Sequence, residues 1–155
     1  MSSGKKITVI ILSVLIALTL CFIFRNSFLG KESSSTEARG VLETLSPILD
    51  AIFGEGVITI KFFRKAAHFA EFFLLGLEVC FLMFTLKGLK LKPFLCVLPA
   101  GFFVGGIDEI IQIFSERGAL FTDVLIDFSG YVAAFIPFAI AFVIKHLKSK
   151  KIKKT

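Results

Sequence analysis

The sequence contains few of the residues that a water-soluble domain places on its surface. Only 19% of its 155 residues are charged, tryptophan is absent and tyrosine occurs once, whereas there are 20 phenylalanines. Together with a mean hydropathy of +0.86, this composition excludes an ordinary soluble domain and predicts an integral membrane protein. A chain of this length holds about four helices of roughly 20 residues, since each must cross about 30 Å of hydrocarbon.

Cysteine is also scarce, and the first apolar run lacks a cleavage signal. Cys21, Cys80 and Cys96 all lie in apolar runs without the spacing of a metal motif, so neither a cysteine-based metal site nor a disulfide framework is expected. No A-x-A-like site follows the first run, which therefore predicts an uncleaved first span.

Four apolar runs predict an all-α, polytopic membrane helix bundle. The predicted spans cover residues 7–24, 62–86, 93–114 and 122–144. The outer loop 25–61 begins with a polar, Ser-rich stretch that we interpret as mobile. From Val41 to Phe53 apolar residues recur at helical spacing, with a helix start indicated at Ser46 and Pro47. This stretch predicts an amphipathic segment in the outer membrane interface, which either covers the spans or senses a lipid or ligand.

The uneven distribution of charge predicts the orientation. Residues 5–6, 87–92 and 145–155 contain eleven of the 18 basic residues and none of the 12 acids. By the positive-inside rule we expect a single domain of residues 1–155 that is multi-pass in the cell membrane, with both termini and the basic tail cytoplasmic. The net charge of +6 then reflects topology, so the expected partner is the lipid bilayer and not nucleic acid.

A polar stripe runs along the second predicted span. Four ionisable residues fall on one helical face, namely Arg64, His68, Glu71 and Glu78. Phenylalanines occupy much of the remaining surface and are assigned to lipid, namely Phe63, Phe69, Phe72, Phe73 and Phe81. The polar stripe is therefore expected to point into the bundle.

A second polar cluster occupies the end of the third span and the start of the fourth, in the stretch GIDEIIQIFSERGALFTDVLIDFSG. The predicted topology brings both clusters together at the outer face, and ionisable groups at span ends indicate a functional site. The predicted binding residues are Arg64, Lys65, His68, Glu71, Asp108, Glu109, Gln112, Arg117, Asp123 and Asp127. Gly101 with Gly105, and Gly130 with Ala134, predict close helix contacts.

These two clusters resemble the conserved elements of the VanZ-like membrane proteins over about residues 60–135. RKAAHFAEF resembles R-K-x-x-H-F-x-E-[YF], and DEIIQIFSERGALFTDVLIDFSG resembles D-E-x-x-Q-x-F, an Arg, and D-x-x-x-N-x-x-G. Asp127 departs from the pattern, which usually has Asn there. The resemblance implies a role at the Gram-positive cell envelope, because the founding member is associated with resistance to the glycopeptide antibiotic teicoplanin.

The residue types leave several functions open. The site either binds or shields an envelope component, such as a lipid-linked or peptidoglycan-precursor ligand, or catalyses a reaction on one. In an enzyme, His68, Glu71 or Asp108 would act as general acid or base while Arg64 or Arg117 held an anionic headgroup. A transporter or proton relay, and charges that only lock the helix register, are further alternatives.

A bound divalent metal is the possible cofactor that these residues suggest. His68 and Glu71 lie three residues apart on one helix, and Asp108 or Glu109 from the next span would complete the ligand set. The sequence does not decide between such a site and hydrogen-bonded or ion-paired side chains.

Overall fold

The computed structural model describes residues 2–116 and 120–152, and within these ranges every regular element is a helix. The six described helices are α1 (Ser3–Phe28), α2 (Lys31–Phe53), α3 (Ile60–Lys87), α4 (Leu91–Phe114), α5 (Phe121–Ala133) and α6 (Ile136–Ile152). The all-α prediction is confirmed.

Four helical stretches of the described chain are long and apolar enough to cross a membrane, as predicted. They are Ser3–Phe28, Ile60–Lys87, Leu91–Phe114 and Phe121–Ser149. The fourth is not one regular helix, because a turn at Ala134 and Phe135 separates α5 from α6. Pro137 follows the turn, and its missing N–H prevents a regular helical hydrogen bond to the carbonyl four residues earlier.

The connection between the first two spans is mostly helical, so the predicted mobile loop at its start is wrong. Helix α2 begins at Lys31 and continues without a break to Phe53. Once a helix has formed, each further residue that joins it adds one backbone hydrogen bond. The amphipathic C-terminal half of α2 therefore extends the helix into its Ser-rich N-terminal half. Arg25 of α1 also lies 3.3 Å from the Glu37 carboxylate of α2, an exposed ion pair between the two helices.

The predicted helix start at Ser46 and Pro47 is also wrong, since both residues lie inside α2. Proline cannot donate to the carbonyl four residues earlier, which is that of Glu43. The Ser46 hydroxyl donates to this Glu43 carbonyl at 2.9 Å instead. The substitute hydrogen bond explains how the helix passes through a proline.

Helix α3 lies at the centre of the bundle and packs against α1, α4 and α5. The core consists of apolar and aromatic side chains from four spans, namely Ile23, Phe72, Leu75, Cys80, Phe94, Tyr131 and Phe135. The assignment of Phe72 to lipid is therefore wrong: its side chain is fully buried. It packs within the bundle beside Leu75, whereas Phe81 is half exposed.

Glycines allow α5 to approach its neighbours closely. A Cβ atom on Gly130 would lie 2.3 Å from the backbone oxygen of Phe69 in α3, and one on Gly76 would lie 2.5 Å from the backbone oxygen of Tyr131. A Cβ on Gly101 of α4 would meet the Tyr131 ring at 2.3 Å. These contacts set the separation of α3, α4 and α5, which together form the site described next.

Candidate functional site

The polar residues of four spans meet at one end of the bundle, which we call the site end. Helices α1 and α4 finish there, whereas α3 and α5 begin there. The opposite end contains the N-terminus and the α3–α4 turn, as shown by the Lys5 ammonium, which donates to the Leu86 carbonyl at 3.5 Å. The antiparallel arrangement of the spans thus brings the two sequence clusters together.

Asp108 of α4 is the most deeply buried acid of the site, with no exposed surface. One carboxylate oxygen accepts a hydrogen bond from the Ser27 hydroxyl of α1. The other accepts a hydrogen bond of 2.7 Å from the Gln112 amide, one turn along α4. Hydrogen bonds from two helices therefore fix the orientation of this carboxylate.

His68 of α3 lies between two buried carboxylates. Its Nδ1 atom is 3.9 Å from an Asp108 oxygen and 3.7 Å from an Asp127 oxygen. One potential ligand atom from each of these three residues lies within 4.8 Å of the other two. Asp108 and Asp127 are buried and the His68 side chain is 19% exposed, so α3, α4 and α5 contribute one polar group each to a single, largely buried cluster.

Glu71 and Glu109, which the sequence suggests as candidate metal ligands beside His68 and Asp108, each accept a hydrogen bond from another residue. The Asn26 amide of α1 donates to a Glu71 oxygen at 3.0 Å. Glu109 accepts a hydrogen bond of 3.1 Å from the backbone N–H of Leu120, which precedes α5. Glu109 thus holds the start of α5 against the end of α4.

Two cavities open beside the buried cluster. The first, of about 270 Å³, lies between α1, α2 and α3 and is lined by polar residues including Asn26, Arg64, His68 and Glu71. The second, of about 220 Å³, lies between α3, α4 and α5 and is lined by residues including Lys61, Arg64, His68, Gln112 and Asp127. Arg64 and His68 form part of the wall of both cavities.

The cations of α3 differ in their partners. Lys65 donates to the Asp123 carboxylate of α5 at 2.8 Å, in a partly exposed ion pair. Arg64 makes no hydrogen bond or ion pair with any residue in the described part of the chain. Its guanidinium group is therefore available to a ligand in either cavity. Arg117, the remaining predicted cation, lies outside the described residues.

Sequence reasoning missed the polar side chains of the first span. Thr19 donates to the Glu78 carboxylate at 3.0 Å, and Asn26 and Ser27 bind the carboxylates of Glu71 and Asp108. The signal was present in the sequence, because Thr19 and Ser27 are two helical turns apart and interrupt an apolar run on one face. The first span is therefore part of the site and not only an anchor.

Comparison with known proteins identifies the family. The sequence model described as VanZ/LLP1 matches residues 9–144, which include all four apolar spans in large part and every described polar residue of the site. No curated protein and no solved structure matches the chain. Because the match covers most of the sequence, the chain belongs to the VanZ/LLP1 family of membrane proteins.

Proposed function

We propose that the site end faces the outside of the cell and binds the anionic headgroup of a cell-envelope component. The ligand class is a lipid-linked or peptidoglycan-precursor molecule, and its binding lowers susceptibility to teicoplanin. The orientation rests on the cytoplasmic preference of the lysine-rich segments at the opposite end. The phenotype rests on the VanZ-like elements of the sequence.

The observation that supports headgroup binding best is the position of Arg64. This residue lines both cavities and has no carboxylate partner among the described residues. A guanidinium group binds phosphate and carboxylate through two parallel hydrogen bonds, so a free arginine in a cavity suits an anionic ligand. Lys61 adds positive charge to the wall of the smaller cavity, which also contains the Lys65–Asp123 ion pair and the Asp127 carboxylate.

The test compares teicoplanin susceptibility of a Gram-positive host that carries the wild-type protein, Arg64→Gln or Asp108→Asn, with membrane abundance matched by blotting. We expect the wild-type protein to lower teicoplanin susceptibility and both variants to lose this effect. Arg64→Gln removes the cation, and Asp108→Asn removes a carboxylate from the buried cluster. Arg39→Gln is the matched control, since Arg39 is an exposed arginine of α2 that lines neither cavity.

Protection by Arg64→Gln at the wild-type level would contradict headgroup binding by this arginine. Failure of the wild type itself to protect would contradict the teicoplanin phenotype. Loss of protection with Arg39→Gln as well would show that the effect is not specific to the cavities.

The position of His68 favours a second candidate, an enzyme acting on the same class of ligand. His68 reaches both cavities and lies within 4 Å of two carboxylates, an arrangement that suits a general acid or base. Turnover of a lipid-linked pyrophosphate precursor by the purified protein, absent in His68→Gln, would support this function. Binding of the precursor without turnover would contradict it.

A further inference from the structure

We infer that His68, Asp108 and Asp127 form a binding site for a divalent transition-metal cation. One imidazole nitrogen and two carboxylate oxygens, from three different helices, all lie within 4.8 Å of one another. The inference stands on these three side chains and does not require the proposed envelope ligand.

Asp127 is buried without a hydrogen bond from the described residues, a state that a bound cation would stabilise. The side chain is 1% exposed, and neither carboxylate oxygen has a hydrogen-bond partner in the part of the chain that the structure describes. The His68 imidazole lies 3.7 Å from one of these oxygens, but burial of a carboxylate without a hydrogen bond is costly, since it loses its hydration. A divalent cation between Asp108 and Asp127 would balance both negative charges at once.

The spacing of the three groups suits a small cation. Zinc binds imidazole and carboxylate at about 2.0–2.2 Å, so neighbouring ligands of a tetrahedral ion lie roughly 3.3–3.6 Å apart. The observed distances from His68 to the two carboxylates are 3.9 and 3.7 Å. A contraction of a few tenths of an ångström therefore brings the imidazole to coordination spacing with either carboxylate, and the carboxylate oxygens of Asp108 and Asp127 lie within 4.8 Å of each other.

The residue types select the kind of metal and leave a coordination position open. An imidazole ligand favours zinc, iron, copper or nickel over calcium and magnesium, which prefer oxygen ligands throughout. Three protein ligands with a fourth position open are typical of metals that bind water or substrate. His68 and Asp127 both line the cavity of about 220 Å³, from which such a ligand would enter.

The surroundings of Asp108 are those of an oriented ligand. Its two oxygens accept hydrogen bonds from Ser27 and Gln112, and such bonds hold metal-binding carboxylates in place. Asp127 stands where the VanZ-like element usually has Asn. The third ligand is therefore a carboxylate in this chain, which provides a natural control substitution, Asp127→Asn.

The test measures metal binding by the full-length protein in detergent after treatment with a chelator. We expect one equivalent of Zn²⁺ to bind in competition with a chromophoric chelator, and Asp127→Asn to weaken binding by about tenfold or more. Asp123→Asn is the matched control because Asp123 lies one turn away on α5 and is paired with Lys65. Its affinity for Zn²⁺ should equal that of the wild type.

Co²⁺ provides a second measurement that does not depend on a variant. Wild-type protein loaded with Co²⁺ should show the visible absorption of a metal bound by protein ligands. Absence of stoichiometric Zn²⁺ binding and of this absorption in the wild type would overturn the inference, as would equal Zn²⁺ affinity in Asp127→Asn and the wild type.

Discussion

At the scale of single residues, the first span supplies hydrogen-bond donors to carboxylates on other helices. Thr19, Asn26 and Ser27 bind Glu78, Glu71 and Asp108 respectively. Within a membrane a buried carboxyl has no water to bind, so its partners must come from neighbouring helices. These contacts link α1 to α3 and α4, and they fix the rotation of α1 about the helix axis.

The Thr19 contact predicts a measurable loss of stability. Thr19→Val keeps the shape of the side chain but removes the hydroxyl that donates to Glu78. We expect this substitution to lower the free energy of unfolding by about 1 kcal/mol. Unfolding in mixed detergent micelles measures this difference. Thr8→Val is the matched control, because the Thr8 hydroxyl bonds only its own helix at the Gly4 carbonyl. A loss as large in Thr8→Val would contradict a specific role for the Thr19 contact.

At the scale of helices, the distance between α3 and α5 depends on glycine. Gly130 of α5 touches the backbone of α3 at Phe69, one residue beyond His68. Asp127 lies three residues before Gly130 on the same helix. The position of Asp127 beside the imidazole is therefore set by a backbone contact that only glycine permits.

Gly130→Ala should separate α5 from α3. The added Cβ would lie 2.3 Å from a backbone oxygen, which cannot move aside as a flexible side chain would. We therefore expect the free energy of unfolding to fall by about 2–3 kcal/mol. Gly106→Ala is the control, because a Cβ there meets no atom within 4 Å. Unfolding in mixed micelles should show Gly106→Ala equal to or slightly more stable than the wild type. Equal stability of the two variants would contradict the close approach.

At the scale of the whole molecule, the polar site and the α3–α4 turn lie at opposite ends of the bundle. The site end contains the buried acids Asp108, Glu109 and Asp127 and the two cavities, whereas Lys5 and Lys87 lie at the other end. Helix α2 crosses the site end with Val41, Ile48 and Ile52 more than half exposed, as suits a helix in the membrane interface. This arrangement would keep the cavities within reach of lipid headgroups.

The orientation is testable with single cysteines in a variant that lacks the three native ones. Ser33→Cys on α2 should react with a membrane-impermeant maleimide in intact cells, because we expect the site end outside. Ser3→Cys near the N-terminus should react only after permeabilisation. Both positions are exposed, and neither substitution alters the charges that direct topology. The reverse pattern would place the site in the cytoplasm and contradict an extracellular ligand.

The sequence by itself determined the membrane class, the four apolar spans and the residues of the two polar clusters. This was possible because hydrocarbon imposes length and apolarity on each span, a requirement that acts on local sequence. The helical content of α2 was only half predicted, because its polar, Ser-rich start has no apolar periodicity and is helical as a backward extension of the amphipathic half.

Only the tertiary structure decided which side chains meet. It grouped Asp127, and not Glu71 or Glu109, with His68 and Asp108, and it brought Ser27 to Asp108 across 81 residues of sequence. It also placed Phe72 in the core, although its neighbour Phe73 is partly exposed. Such choices depend on the rotation and separation of whole helices, which glycine contacts between distant segments set and which no local pattern encodes.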